Sequence, residues 1–521
     1  MARRLVLKDT TFRDGIQEEG VEACDLGEAL RGIQEIDALG VDYHEVGFAS
    51  ADEASMERIK AACKLPLKGK VAAFGRTLPE DVKAILKSGA PVGVLVGKTR
   101  LQDVRGALNI SPEENLKRVF DSVQRLRQKG LEVIFDAEHF FQACHEDDRR
   151  YALQVLQAAR KAGAKWIVLC DTNGAMTPAK IKTAIRGVKR EIPVQRLGIH
   201  THDDRGRAVV NAEAAWEEGV RLIEGTIGGF GERTGNCNLC VAVPNLLLDH
   251  DARGISRDQL SRLAETYFLI CDVLNQVPSA DMAYVGERAF YSEAGMHESG
   301  NRRLPNSYFH VDPAIVGNSP RVGLSDQSGR ANLLSKAEQF GIDMPDELLP
   351  GIVDAYRKLV DQGEHFGLAE ASAYLFLMRQ LGLLPDYFTF VSFRVIDEKQ
   401  AGQPATSEAS LRMEVKGKRQ LHNGDGDGPV NALDVALRRT LARHYKSLRR
   451  VALHDFKVRI VDTGRSTGAR VRVLIELTDG EKNWVTVATD DNIIEAARRA
   501  LFDGYTYKLA VNGTKPVRAR R

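Results

Sequence analysis

From Leu5 to about Val241 the chain repeats one rhythm, a short run of aliphatic and β-branched residues followed by a longer amphipathic stretch. The runs are Leu5 to Lys8, Tyr43 to Val46, Lys70 to Ala73, Val92 to Val96, Glu132 to Phe135, Trp166 to Leu169, Leu197 to Ile199 and Leu222 to Glu224. Between them, in segments such as Leu26 to Leu39 and Pro112 to Gln128, apolar residues recur every three or four positions, which predicts helices. Strands alternating with helices imply βαβ units and a parallel sheet. Eight such units can close into a (β/α)8 barrel, the fold class expected here. An open dinucleotide-binding sheet would show its glycine fingerprint after the first strand, and none is present.

Each run ends in polar residues: Asp9 to Asp14, Glu45 to Phe48, Phe74 to Arg76, Gly97 to Thr99, Asp136 to His139, Asp171 to Asn173, His200 to Asp204, and Gly228 to Asn238. In a barrel those ends share one rim, so groups distant in sequence converge on one pocket. His200 and His202 stand two apart on a strand and face the same way, into the barrel. Two imidazoles and one carboxylate satisfy a divalent ion; Asp14 is the carboxylate chosen, and Asn236 can add a neutral oxygen. The set suits Mg, Mn or Zn, and spacing alone leaves open the facial triad of an iron oxygenase or a pair of hydrogen-bonded core histidines. Arg13 is suited to stabilise an oxyanion, and Thr172 to hydrogen-bond a substrate carboxylate. As ordinary structure, Arg13 would be a rim salt bridge and Thr172 a helix N-cap.

With 521 residues the chain exceeds one barrel, and 28% charged with 43% hydrophobic residues is the balance of a soluble globular protein. The 73 basic and 71 acidic residues nearly cancel, which argues against nucleic acid or a membrane surface as partner and for small molecules. Arg518, Arg520 and Arg521 read as a solvated end. No apolar run is long enough to span a bilayer and Met1 to Lys8 is not a signal peptide, so a cytoplasmic protein is expected. Seven scattered cysteines, with Cys237 and Cys240 as the one Cys-x-x-Cys, fit reduced thiols.

After a barrel over residues 1–274, prolines at 278, 305, 313, 320, 345 and 350 break residues 275–386 into a helical linker subdomain. Over 387–521 alternation returns in a near-repeat, strands then helix, the helices at Pro429 to Ala442 and Asn492 to Leu501. Gly424-Asp425-Gly426-Asp427-Gly428 leads into the first of these helices, where backbone N–H groups can receive a carboxylate; Gly424, Gly426, Asp427 and Gly428 are the candidate effector-binding residues.

The run Asp9 to Gln17, with His200-Thr201-His202 and Gly231 to Asn236, resembles the metal-dependent, acyl-CoA-condensing barrel family. That family includes isopropylmalate, homocitrate and citramalate synthases and hydroxymethylglutaryl-CoA lyase. Phe135 to Phe141 and Leu169 to Gly174 look most like its citramalate synthases, which join pyruvate to acetyl-CoA. The resemblance implies that Asp14, His200 and His202 hold the metal with Asn236 nearby. It implies that Arg13, Thr172 and Gln17 bind the 2-oxo acid, that Glu138 sits beside the reacting methyl group, and that His297 and Tyr308 transfer protons. It also implies a homodimer with a C-terminal α+β regulatory domain of the LeuA type that binds a branched-chain amino acid.

Several positions depart from the family pattern. Glu293 or Ala294 stands where a lysine is usual, Asp203 replaces an asparagine, and Arg205 and Arg207 follow where small or apolar residues are common. Ala143 or Cys144 stands for a tyrosine, and Glu45 to Ala49 is closer to the isopropylmalate and homocitrate enzymes. A larger or more acidic oxo acid, a lyase running the reverse aldol, an iron oxygenase and a catalytically inert effector-binding protein are the alternatives.

Overall fold

The structure, a computed structural model, describes residues 3–17, 25–146, 148–292, 295–322, 324, 330–361, 364, 366, 369–415, 417–461 and 469–515. It divides into two compact units, one of residues 1–290 with 311–319 and one of 291–310 with 320–521.

The first unit is a closed barrel of eight parallel strands in chain order: β1 Val6–Asp9, β2 Tyr43–Phe48, β3 Lys70–Arg76, β4 Val92–Lys98, β5 Glu132–Glu138, β6 Trp166–Asp171, β7 Leu197–Thr201 and β8 Leu222–Gly225. Every expected run is a strand, and each continues at its C-terminal end beyond the residues expected. The added residues are polar or glycine at positions such as Lys98, Glu138 and Asp171. A sheet ladder satisfies the backbone whatever the side chain, so strand geometry carries these chemical groups up to the rim in fixed alternation.

Following the inward positions upward shows why the rim is reactive. Tyr43, Ala72, Val92, Ile134, Trp166 and Leu222 pack together as an apolar floor. Two residues further along, β1, β2, β5 and β8 turn Lys8, Glu45, Asp136 and Glu224 toward one another, all buried. Above that charged layer lie His200, His202 and the turn after β1.

Helices cover the outside. The helix Pro112–Gln128 has the expected bounds and Leu26–Ala38 ends one residue early; Ser111 and Asp25 cap their N-termini. Trp216, on the helix Ala208–Glu217, is fully buried, donates from Nε1 to the His250 carbonyl at 3.1 Å and lies under the Arg3 guanidinium at 4.5 Å. Trp216→Ala is expected to destabilise the barrel by about 3–5 kcal/mol, since transfer and cavity terms add. Urea unfolding followed by far-UV circular dichroism checks this; a loss under about 1 kcal/mol would contradict the packing described.

The second unit contains two similar halves. Strands β9 Thr389–Glu398, β10 Thr406–Val415 and β11 Lys418–Gly426 form an antiparallel sheet followed by the helix Pro429–Leu441. Strands β12 Ala452–Ile460, β13 Val471–Thr478 and β14 Asn483–Asp490 form another, followed by the helix Ile493–Val511. One core serves both: Leu411, Met413 and Leu437 of the first half pack with Val473, Ile475 and Leu501 of the second. Among the described residues this unit also has the helices Gly295–Arg303, Arg330–Gln339, Leu349–Asp361 and Glu370–Gln380, with a two-stranded pairing of Tyr291–Ser292 and Arg321–Val322.

Candidate active site

The turn after β1 is closed by Arg13 and Asp14 N–H groups donating to the Thr10 carbonyl at 3.0 and 2.8 Å, while Phe12 buries its ring completely. Anchored this way, Arg13 and Asp14 point back over the barrel mouth. On β7, His200 and His202 face inward with their Nε2 atoms 3.1 Å apart. Asp14 Oδ2 lies 3.6 Å from His200 Nε2, and one ligand atom from each of Asp14, His200 and His202 falls within 4.8 Å of the others, all three residues buried. The expected trio is therefore brought together.

Its electrostatics suit a cation. Burial, then the neighbouring His200, push the His202 imidazole well below its ordinary value, so it is neutral and offers a lone pair. Burial alone would raise Asp14, but Arg13 and both histidines hold it ionised, below the usual carboxylate range. His200 is pulled down by burial and raised on balance by Glu224 and Asp14 together. Glu224 Oε1 stands 3.2 Å from His200 Nδ1, an ion-pair distance that is off-axis for a hydrogen bond. This carboxylate favours a proton on Nδ1 and leaves the Nε2 lone pair directed toward His202 Nε2, the arrangement usual behind ligating histidines.

Two further observations test the fit of an ion. Octahedral ligands about 2.1 Å from a divalent ion are about 3.0 Å apart along an edge, close to the His200–His202 separation. Asn236 Oδ1 is buried with no hydrogen-bond partner among the described residues. Asn236 bridges to His202 through its backbone, placed by a loop that folds back on itself. Gly235 makes the fold-back possible: it has φ +91°, and a Cβ there would lie 2.1 Å from the Gly229 carbonyl oxygen.

Arg13 is gripped on several sides. Its Nε donates to Glu45 Oε1, Nη1 lies 3.3 Å from Asp14 Oδ2, and the guanidinium stacks 4.3 Å above the Phe74 ring. Lys8 Nζ sits beneath, 2.6 Å from Glu45 Oε2, 3.1 Å from Asp136 Oδ2 and 3.0 Å from Glu224 Oε2.

Thr172 is not a helix cap. Its Oγ1 accepts from the His139 N–H at 2.8 Å, and its carbonyl accepts from Arg233 Nη2 at 2.9 Å. His139 reaches Thr172 by adopting a left-handed φ of 59° directly after Glu138. Glu138 pairs with Lys98 Nζ at 2.6 Å, each about a quarter exposed. Gln17 is exposed, in the short turn after Asp14. Asp203 Oδ1 accepts from the Ala208 N–H at 2.7 Å at the start of its helix, and exposed Arg205 donates to the Ala175 carbonyl at 3.2 Å. Glu293 and Ala294 lie outside the described residues.

His297 and Tyr308 belong to the second unit, where their rings stack with centroids 4.4 Å apart. In the same unit the glycines of the Gly-Asp run have a packing task. A Cβ on Gly424 would lie 2.3 Å from the Ala432 carbonyl oxygen, and one on Gly426 2.5 Å from Ala432 N, so only glycine lets β11 approach the helix Pro429–Leu441. Gly428 is the N-cap of that helix and makes no side-chain cap.

Residues 4–266 match the HMGL-like family, 284–364 the homocitrate synthase post-HMGL domain-like family, and 368–509 the LeuA allosteric (dimerisation) domain. The (R)-citramalate synthase of Aquifex aeolicus is 40% identical, aligned over 98% of this chain and 98% of its own. The chain belongs to the (R)-citramalate synthase family. Those of Geobacter sulfurreducens (40% identical over 96% of this chain and 97% of its own) and of a Synechocystis strain (37% over 97% and 96%) are similar to it along the same length. For a member of the (R)-citramalate synthase family, the residues to which the sequence assigned no role are Lys8, Lys98, Glu45 and Glu224, Glu45 and Lys98 standing only among the polar strand ends. Period two along β1, β2, β4 and β8 was the signal that could have found them, since it turns each inward.

Proposed function

We infer that this chain condenses acetyl-CoA with a 2-oxo acid, pyruvate, to give (R)-citramalate and free CoA. The methyl group of acetyl-CoA loses a proton, its carbon bonds to the keto carbon, the keto oxygen takes up a proton, and water hydrolyses the thioester. The observation that carries the reading is the convergence of Asp14, His200 and His202 beside the Arg13 guanidinium.

In this reading Asp14, His200 and His202 hold a divalent ion, Mg, Mn or Zn, with Asn236 Oδ1 as a neutral donor, and the bound ion supplies polarisation of the keto oxygen. Arg13 presents positive charge where the oxyanion develops, held by Glu45 so that little reorganisation is needed. The Thr172 hydroxyl, its oxygen already accepting from His139, has its proton to give to the substrate carboxylate. Gln17 belongs to the same binding set. Glu138, paired with Lys98, faces the methyl group, and His297 and Tyr308 are the proton-transfer groups by family resemblance. Barrel, linker and regulatory domain divide at about residues 274 and 386. The LeuA-type domain is proposed to join two copies of the chain and to bind a branched-chain amino acid, isoleucine for this product, with the Gly424, Gly426, Asp427 and Gly428 segment as its carboxylate site. The protein acts in the cytoplasm; among its described residues no helix is long and apolar enough to cross a membrane.

The experiment is thiol release from acetyl-CoA with Mg or Mn and a panel of pyruvate, 2-oxoisovalerate and 2-oxoglutarate, repeated with isoleucine or leucine added. Pyruvate is expected to exceed the others in kcat/KM by about tenfold or more, because each extra methylene is worth about 1–3 kcal/mol in discrimination and 2-oxoglutarate also brings a second carboxylate to be desolvated. A preference for either larger acid would overturn the substrate assignment and leave the reaction type standing.

A further inference from the structure

Three buried carboxylates, Glu45, Asp136 and Glu224, form a second cluster below the site that could hold an ion by geometry alone. Its centre is already filled. Lys8 Nζ lies within 3.1 Å of all three, and the side chain is wholly buried. Each of two carboxylates uses its other oxygen on a group above. Glu45 Oε1 accepts from Arg13 Nε, and Glu224 Oε1 stands 3.2 Å from His200 Nδ1 and 3.9 Å from Arg13 Nη2. A single ammonium group thereby links the aim of the arginine to the aim of the histidine, across strands β1, β2, β7 and β8.

An interior ion pair of this kind is a poor way to gain stability, because desolvating four charges offsets most of their attraction. An aliphatic side chain fills the neighbouring position on the next strand, where Val168 pairs with Asp136. Fixed geometry is what charges add there. We propose that Lys8, through Glu45 and Glu224, is a positioning residue that presets Arg13 for the oxo acid and His200 for the metal ion. The inference rests on the function proposed above.

Two variants test it. Lys8→Met keeps the stem and removes the ammonium; it is expected to raise KM for pyruvate about tenfold or more while KM for acetyl-CoA moves less than about threefold. Glu224→Gln keeps the shape and removes the charge behind His200; its Mn2+ dissociation constant, read from the electron paramagnetic resonance of free Mn2+ without turnover, is expected to rise about 10–100-fold. A purely structural role would lower the melting temperature and leave both quantities at wild-type values, and that result in folded protein overturns the proposal. Should Lys8→Met not fold, the Mn2+ affinity of Glu224→Gln decides. Wild-type enzyme that binds no Mn2+, or His202→Ala that binds it normally, would sink the metal reading itself instead.

Discussion

Asp14→Ala and His202→Ala enzymes are expected to release CoA at least about 10³-fold more slowly than wild type, at saturating pyruvate and acetyl-CoA. An ion at this site contributes several kcal/mol to stabilising the developing oxyanion, and each 1.36 kcal/mol is a factor of ten. Losing one ligand of three empties or distorts the site. The fold survives, because both residues sit above the apolar floor and the (β/α)8 ladder that hold the barrel together. Dialysis against a chelator is expected to have the same effect on wild type, with Mn2+ restoring wild type but neither variant. The measurement is thiol release together with far-UV circular dichroism. Rates near wild type from either folded variant would show that the trio holds no essential ion.

Arg13→Lys is expected to lower kcat by about 10²–10³-fold, the usual cost of removing one oxyanion donor. The substitution keeps the positive charge, so a site needing charge alone would barely respond. Arg13 is used as a planar fork: Nε reaches Glu45, Nη1 reaches Asp14, and the plane lies on Phe74. An ammonium on a flexible stem reproduces none of that geometry. Mn2+ affinity, in contrast, is expected to change only a fewfold, since Asp14, His200 and His202 remain. Single-turnover thiol release separates chemistry from binding. A variant whose kcat holds while KM for acetyl-CoA rises would move Arg13 to the other substrate.

How much of this was readable beforehand follows from the range of each interaction. The eight strand cores were visible because an apolar run reports burial locally, and the two helices Pro112–Gln128 and Leu26–Ala38 because helical period and capping residues are local too. His200 and His202 were legible as a pair since two residues on one strand share a face. Asp14 needed an inference across the barrel, from rim to rim, and the structure brings it within 3.6 Å of His200 Nε2. Thr172 was visible as a residue and its partner was not: the His139 N–H that it accepts comes from the residue just past the neighbouring strand, 33 positions earlier.

The sequence alone determined the barrel, the near-repeat of the C-terminal region and the residue types at the rim, because period two, period 3.6 and glycine placement are properties of neighbours along the chain. Only tertiary structure decided what those residues face. The polar ends of the strands are continuations of the ladder, and Gly424 and Gly426 are demanded by a helix pressed against β11. The grip of Lys8 on Glu45, Asp136 and Glu224 requires closure of strands 37, 128 and 216 residues away. Coulombic attraction acts through space, and no local pattern records which distant carboxylate a buried ammonium will meet.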